Sequence, residues 1–90
     1  MAQVKRLILD VLKPHQPNAL EFATAIAALG AGYQVVLQVE EVDEKTESTL
    51  VTITGEALDY AAIEAKIQDL GGSVHSIDEV EVTGGEPDLA

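Results

Sequence analysis

Six short segments of this chain carry an apolar repeat, and the order of the two kinds of repeat leaves few ways to fold it. Residues 4–12, VKRLILDVL, alternate with a period of two: Leu7, Leu9 and Val11 on one side, Arg6, Ile8 and Asp10 on the other. The prolines of KPHQPN end that strand, and Asn18 with Glu21 three residues later has the form of a helix-opening capping box. The helix is predicted to reach about Leu29, with Phe22, Ile26 and Leu29 on one stripe, and GAG at residues 30–32 stops it. YQVVLQVEEVD at 33–43 alternates again, EKTES reads as a turn, and TLVTITGE returns as the second arm of a hairpin. Asp59 then caps a second helix with Tyr60, Ile63, Ile67 and Leu70 on its buried stripe, stopped by Gly71. GGSVHSIDEVEV at 71–82 is the last strand, and TGGEPDLA has no apolar period.

The resulting order, β-α-β-β-α-β, predicts an α+β ferredoxin-like sandwich: two helices on one face of a four-stranded antiparallel sheet, in strand order 4-1-3-2. Residues 1–82 are expected to form a single domain and 83–90 a flexible acidic tail. The helix-free sheet face is expected to carry Ile8, Asp10, Leu12, Val36, Gln38, Leu50 and Thr52, a half-apolar surface suited to docking another copy of the chain. A chain of 90 residues buries only roughly 60–65% of its unfolded surface, so its core is thin. With three aromatic residues, Phe22, Tyr33 and Tyr60, that core has to be aliphatic.

Charge narrows the function. Sixteen acidic residues stand against five basic ones, a formal net charge of -11. Such a chain repels nucleic acid, which is bound through Lys and Arg on phosphate, and it repels anionic membranes. The open sheet face also lacks the stacking aromatics and basic residues that RNA binding would need. The absence of cysteine removes thiolate chemistry and Cys-based zinc sites. No stretch of 18 apolar residues occurs, and the start MAQVKRLILDVL, interrupted by Asp10, reads as a strand of a cytoplasmic protein. The one arginine, Arg6, lies early in the first strand with no glycine-rich phosphate loop beside it, so acylphosphatase-like chemistry lacks its parts. A His15–carboxylate pair could act as a general base, but no nucleophile or oxyanion site stands beside it, so the chain reads as a non-enzyme.

What charge attracts is cations. The topology brings His15, the acidic hairpin turn (Glu40, Glu41, Asp43, Glu44 and Glu47) and His75 to one end of the molecule. Asp10 sits mid-strand, where a carboxylate is unusual, and across the ladder from Ser76 or Asp78. Asp78 and Glu79 interrupt the spacing of Val74, Ile77, Val80 and Val82, and a bulge there would return Ile77 and Val80 to one face. Asp10, His15, His75, Asp78 and Glu79 are therefore the candidate ligands of calcium or another divalent cation.

Two stretches carry a resemblance. LILDVLKPH contains Leu9, Asp10, Leu12, Lys13, Pro14 and His15 in the pattern L-D-x-L-K-P-H, and Asp69 to Val80 read D-L-G-G-x-x-H-S-I-D-E-V. Together they resemble the mainly archaeal family catalogued as domain of unknown function 211, over roughly residues 4–80. GAGYQVVLQ departs from the E-G-V-x-G-V-N usual before the second strand, and the tail is shorter than the family's. The resemblance implies a ferredoxin-like fold, ring-like homo-oligomers and bound divalent cations; it implies no reaction, and the topology itself points to self-association through the open sheet face or the edge strands. The alternative expectation is a regulatory module holding a small molecule at a subunit interface, near GAGY or at the first helix N-terminus behind KPHQPN.

Overall fold

The structure is a computed structural model that describes residues 2–85; residues 86–90 of the expected tail lie outside the described residues. Six elements follow in the predicted order: β1 (Gln3–Pro14), α1 (Ala19–Ala27), β2 (Gln34–Val42), β3 (Thr46–Thr54), α2 (Tyr60–Asp69) and β4 (Ser73–Thr83). The sheet is antiparallel throughout and runs β2-β3-β1-β4, the predicted order read from the other edge. The molecule is thus an α+β, ferredoxin-like sandwich.

Both helices start where side chains replace missing backbone partners. Asn18 Oδ1 accepts from the Glu21 amide at 2.9 Å and Glu21 Oε1 accepts from the Asn18 amide at 3.1 Å, a complete capping box. Asp59 Oδ1 accepts from the Ala62 amide at 3.1 Å. The stripes these caps orient meet the sheet: Phe22 and Ile26 of α1 and Ile63 and Ile67 of α2 are fully buried against Leu7, Leu9 and Val11 of β1 and Val51 and Ile53 of β3. Leu29, Tyr60 and Leu70 close the margin of this core. Gly71, at φ 90°, turns the chain from α2 into β4 in a conformation that a side chain disfavours. At Gly72 a Cβ would lie 3.0 Å from the Leu12 carbonyl oxygen and 3.1 Å from the Phe22 ring, so a side chain at this crossing would press on backbone and core together.

The register on β4 carries two bulges. Ile8 faces Glu79 and Leu9 faces Ile77, leaving Asp78 as the extra residue, as the sequence pattern anticipates. Asp10 faces Ser76 and Val11 faces Val74, which makes His75 a second extra residue. A further irregularity on β1 skips Lys5, so that Val4 pairs with Val82. Val74, Ile77, Val80 and Val82, at uneven spacing, thereby all pair with helix-side residues of β1.

Two boundaries differ from the sequence reading. β1 does not stop before KPHQPN but continues through Lys13 and Pro14, which pair with Glu47 and Thr46 of β3. Proline is tolerated there because the ladder to β4 ends at Leu12, leaving one side of β1 free. The turn is also shorter than EKTES: β2 ends at Val42 and β3 begins at Thr46, with the Asp43 amide donating to the Thr46 carbonyl at 2.8 Å. Glu47 is consequently a strand residue, fixed in register opposite Lys13.

Candidate functional site

Lys13 continues the helix-side series Leu7, Leu9, Val11, so a lysine occupies the position where the alternation calls for another apolar residue. It is fully buried. An ammonium out of water has to be paired and hydrogen-bonded, and this one is. Lys13 Nζ donates to Glu47 Oε1 at 3.0 Å and to the Pro14 carbonyl at 2.8 Å, and it lies 5.7 Å from the centre of the Phe22 ring, whose electron-rich face attracts a cation.

Glu47 carries the network outward. Its second oxygen, Oε2, lies 2.9 Å from His15 Nδ1, and His15 Nε2 lies 2.9 Å from the Glu44 carbonyl oxygen in the hairpin turn. Side-chain exposure rises along the series, from 0% at Lys13 to 17% at Glu47 and 39% at His15. The chain of contacts therefore runs from the core to the tip of the β2–β3 hairpin. Both ring nitrogens of His15 face oxygen acceptors, and only the imidazolium can donate to both. In accord with this geometry, the Glu47 hydrogen bond, followed by that to the Glu44 carbonyl, holds the His15 pKa above its ordinary value. His15 and then Lys13 hold the Glu47 carboxyl below the usual carboxylate range.

This arrangement places the five sequence-derived ligand candidates in separate settings. His15 points into the Lys13–Glu47 network with both nitrogens engaged. Asp10 is half-buried on the open face, opposite Leu50 on one side and Ser76 on the other. Asp78, the bulge residue, accepts a 2.6 Å hydrogen bond from Ser76 Oγ. Glu79 pairs with Arg6 Nε at 2.7 Å. His75 is exposed on the second bulge and takes no part in the His15 network. Among the described residues no three His, Cys, Asp or Glu side chains converge on a common point, so one chain does not assemble the expected cation set. The expectation that His15 and His75 share an end of the molecule with the hairpin turn holds for His15 and the turn. They meet because β1 and β3 are neighbours, with no second copy needed.

The loop ahead of α1, the other expected ligand position, is already occupied by its own side chains: Asn18 and Glu21 satisfy each other's amides, and Glu21 sets a negative charge where an anion would bind. Lys13, named in the sequence as part of the L-D-x-L-K-P-H pattern, had no role assigned to it there. Its signal was its place in the period-two series of β1, which the two following prolines hid.

Fold and site together define a small ferredoxin-like module with a lysine–carboxylate–imidazole array running from core to surface and two open sheet edges. The chain belongs to the DUF211 family, described as uncharacterized ArCR, whose model matches residues 5–86. It is 42% identical over 80 residues to an uncharacterized protein of Methanocaldococcus jannaschii, a match covering 89% of this chain and 82% of the relative. Among the described residues no helix is long and apolar enough to cross a membrane.

Proposed function

We propose that the protein is a non-enzymatic, self-associating module whose carboxylates hold a divalent cation where copies meet. The observation that carries this reading is the character of the two outer strands. On β4, Ile77, Val80 and Val82 are 46%, 51% and 50% exposed, with Asp78, Glu79 and Glu81 between them. On β2, Val39 and Val42 are 43% and 65% exposed, with Glu40 and Glu41 between them. Unpaired strand edges lined with aliphatic side chains favour pairing with another copy. Carboxylates on both edges oppose that pairing until a cation neutralises them. Assembly and cation binding are then one process, which also accounts for a ligand set that is incomplete in a single chain. Asp10 and Asp78, which flank Ser76 on and beside the open face, are the carboxylates we assign to the cation.

The absence of catalysis in this reading is supported by His15. The imidazole paired with a carboxylate has both nitrogens engaged, and its carboxylate is shared with Lys13, so neither His15 nor Glu47 stands free as a general base. A cytoplasmic location is part of the same proposal. Isothermal titration with calcium, magnesium and zinc tests the cation. The wild-type chain should bind at least one of them, and Asp10→Asn should weaken that binding roughly tenfold, since ligand charge sets the affinity of such sites. No binding beyond that of a charge-matched control protein would refute the proposal.

A further inference from the structure

The network around His15 does more than join two strands. Its outer end grips the β2–β3 turn by a main-chain atom, the Glu44 carbonyl, and its inner end is anchored on a carboxylate that a buried lysine keeps charged. We propose that His15 is a pH-sensitive latch that fastens the hairpin tip to the end of β1, closed when the imidazole carries both protons and open when it loses one. The inference does not depend on the assembly proposed above.

The chemistry follows from the acceptors. A neutral imidazole has one N–H and one lone pair. In this geometry either lone pair would point at an oxygen 2.9 Å away, so one of the two contacts has to break. Glu47 remains an anion because Lys13 donates to it from inside the core, and the remaining proton therefore stays on the Glu47 side. The contact that is lost is the one to Glu44, whose carbonyl belongs to an exposed turn. The groups facing the imidazole are Glu47 from β3, with Lys13 of β1 behind it, and the backbone carbonyls of Glu44 and Asp43 in the turn. All of those facing oxygens favour the imidazolium, so the latch opens on the alkaline side of the ordinary histidine value. Opening frees residues 43–45, which terminate β2 at its exposed edge.

The test is amide hydrogen exchange at Asp43, whose N–H closes the turn on the Thr46 carbonyl, combined with nitrogen NMR of the His15 ring. After correction for the intrinsic pH dependence of exchange, Asp43 protection should fall roughly five- to tenfold, the equivalent of one lost hydrogen bond, with a midpoint equal to that of His15. That midpoint should lie above the one His15 shows in the urea-unfolded chain. His15→Gln, which cannot titrate, should remove the step. A His15 midpoint equal to the unfolded one, an Asp43 protection that is flat across the His15 titration, or a step that persists in His15→Gln would each overturn the latch.

Discussion

Glu47 stands between Lys13 and His15, 3.0 Å from the ammonium of one and 2.9 Å from the imidazole of the other, and it is the single carboxylate that both depend on. The three residues come from the end of β1, the loop after it and the start of β3, so the contact fixes the register at the extremity of the sheet.

The central position of Glu47 makes the network asymmetric to mutation. Glu47→Gln leaves the fully buried Lys13 without a counter-charge and should destabilise the fold by about 2–4 kcal/mol, somewhat below the value for a completely buried pair because the carboxylate is partly wetted. Lys13→Met removes the charge and keeps the volume, and Glu47 retains His15 as partner, so the cost should stay under about 1.5 kcal/mol. Urea unfolding of the two variants checks the order; Lys13→Met being the more damaging would contradict the assignment.

Stability should depend on pH through two of these groups. The folded His15 pKa is raised, so its contribution is complete below the ordinary value of 6.5 and disappears as pH rises through the folded value. The folded Glu47 pKa is lowered, so its contribution is complete above the ordinary value of 4.5 and disappears as pH falls through the folded value. Between about 4.5 and 6.5 both are present in full. Because self-repulsion of an acidic chain also grows with pH, the difference in melting temperature between wild type and His15→Gln is the informative quantity. It should be largest in that window and shrink above it.

Gly72 tests the crossing from α2 to β4. A Cβ there meets the Leu12 carbonyl oxygen at 3.0 Å, Phe22 Cζ at 3.1 Å and Ile67 Cγ2 at 3.2 Å, one backbone atom and two core side chains. Gly72→Ala should therefore destabilise by about 1–3 kcal/mol through overpacking, as read from chemical denaturation. An alanine that stabilises the chain would mean that β4 has room to move away from the core.

Val80 tests the open edge. It is 51% exposed, so Val80→Lys should leave the melting temperature of the isolated domain within a few degrees of wild type. The same change should dissociate the proposed assembly in light scattering after size exclusion, since a lysine on an exposed edge opposes strand pairing. An assembly of unchanged mass would remove the β4 edge from the interface.

The fold was legible because its signals are local and agree with one another. Asn18 with Glu21, Asp59 with its following stripe, Gly71, and the alternation of Leu7, Leu9 and Val11 each specify one element, and only one common sandwich accommodates their order. The bulge at Asp78 was readable from the spacing of Ile77 and Val80, whereas the one at His75 was not, because Val74 lies at the start of its strand, where no earlier residue fixes the phase. The Lys13–Glu47–His15 network was hidden for a different reason. Proline and a cluster of charged residues usually end strands, and here pairing between Lys13 and Glu47 and between Pro14 and Thr46 overrides that local preference. Strand topology put Asp10 across the ladder from Ser76 or Asp78 and brought His15 to the end of the molecule that holds Glu47; it did not specify that Arg6 would pair with Glu79 or which carboxylate of the turn would engage His15.

Native mass spectrometry of the wild-type chain, with calcium and then with chelator, bears most directly on the central claim that copies assemble around shared cations. One closed oligomer carrying bound calcium is expected, falling apart to monomer when the calcium is removed. A chain that stays monomeric with calcium present, or an oligomer whose mass is indifferent to chelation, would contradict it.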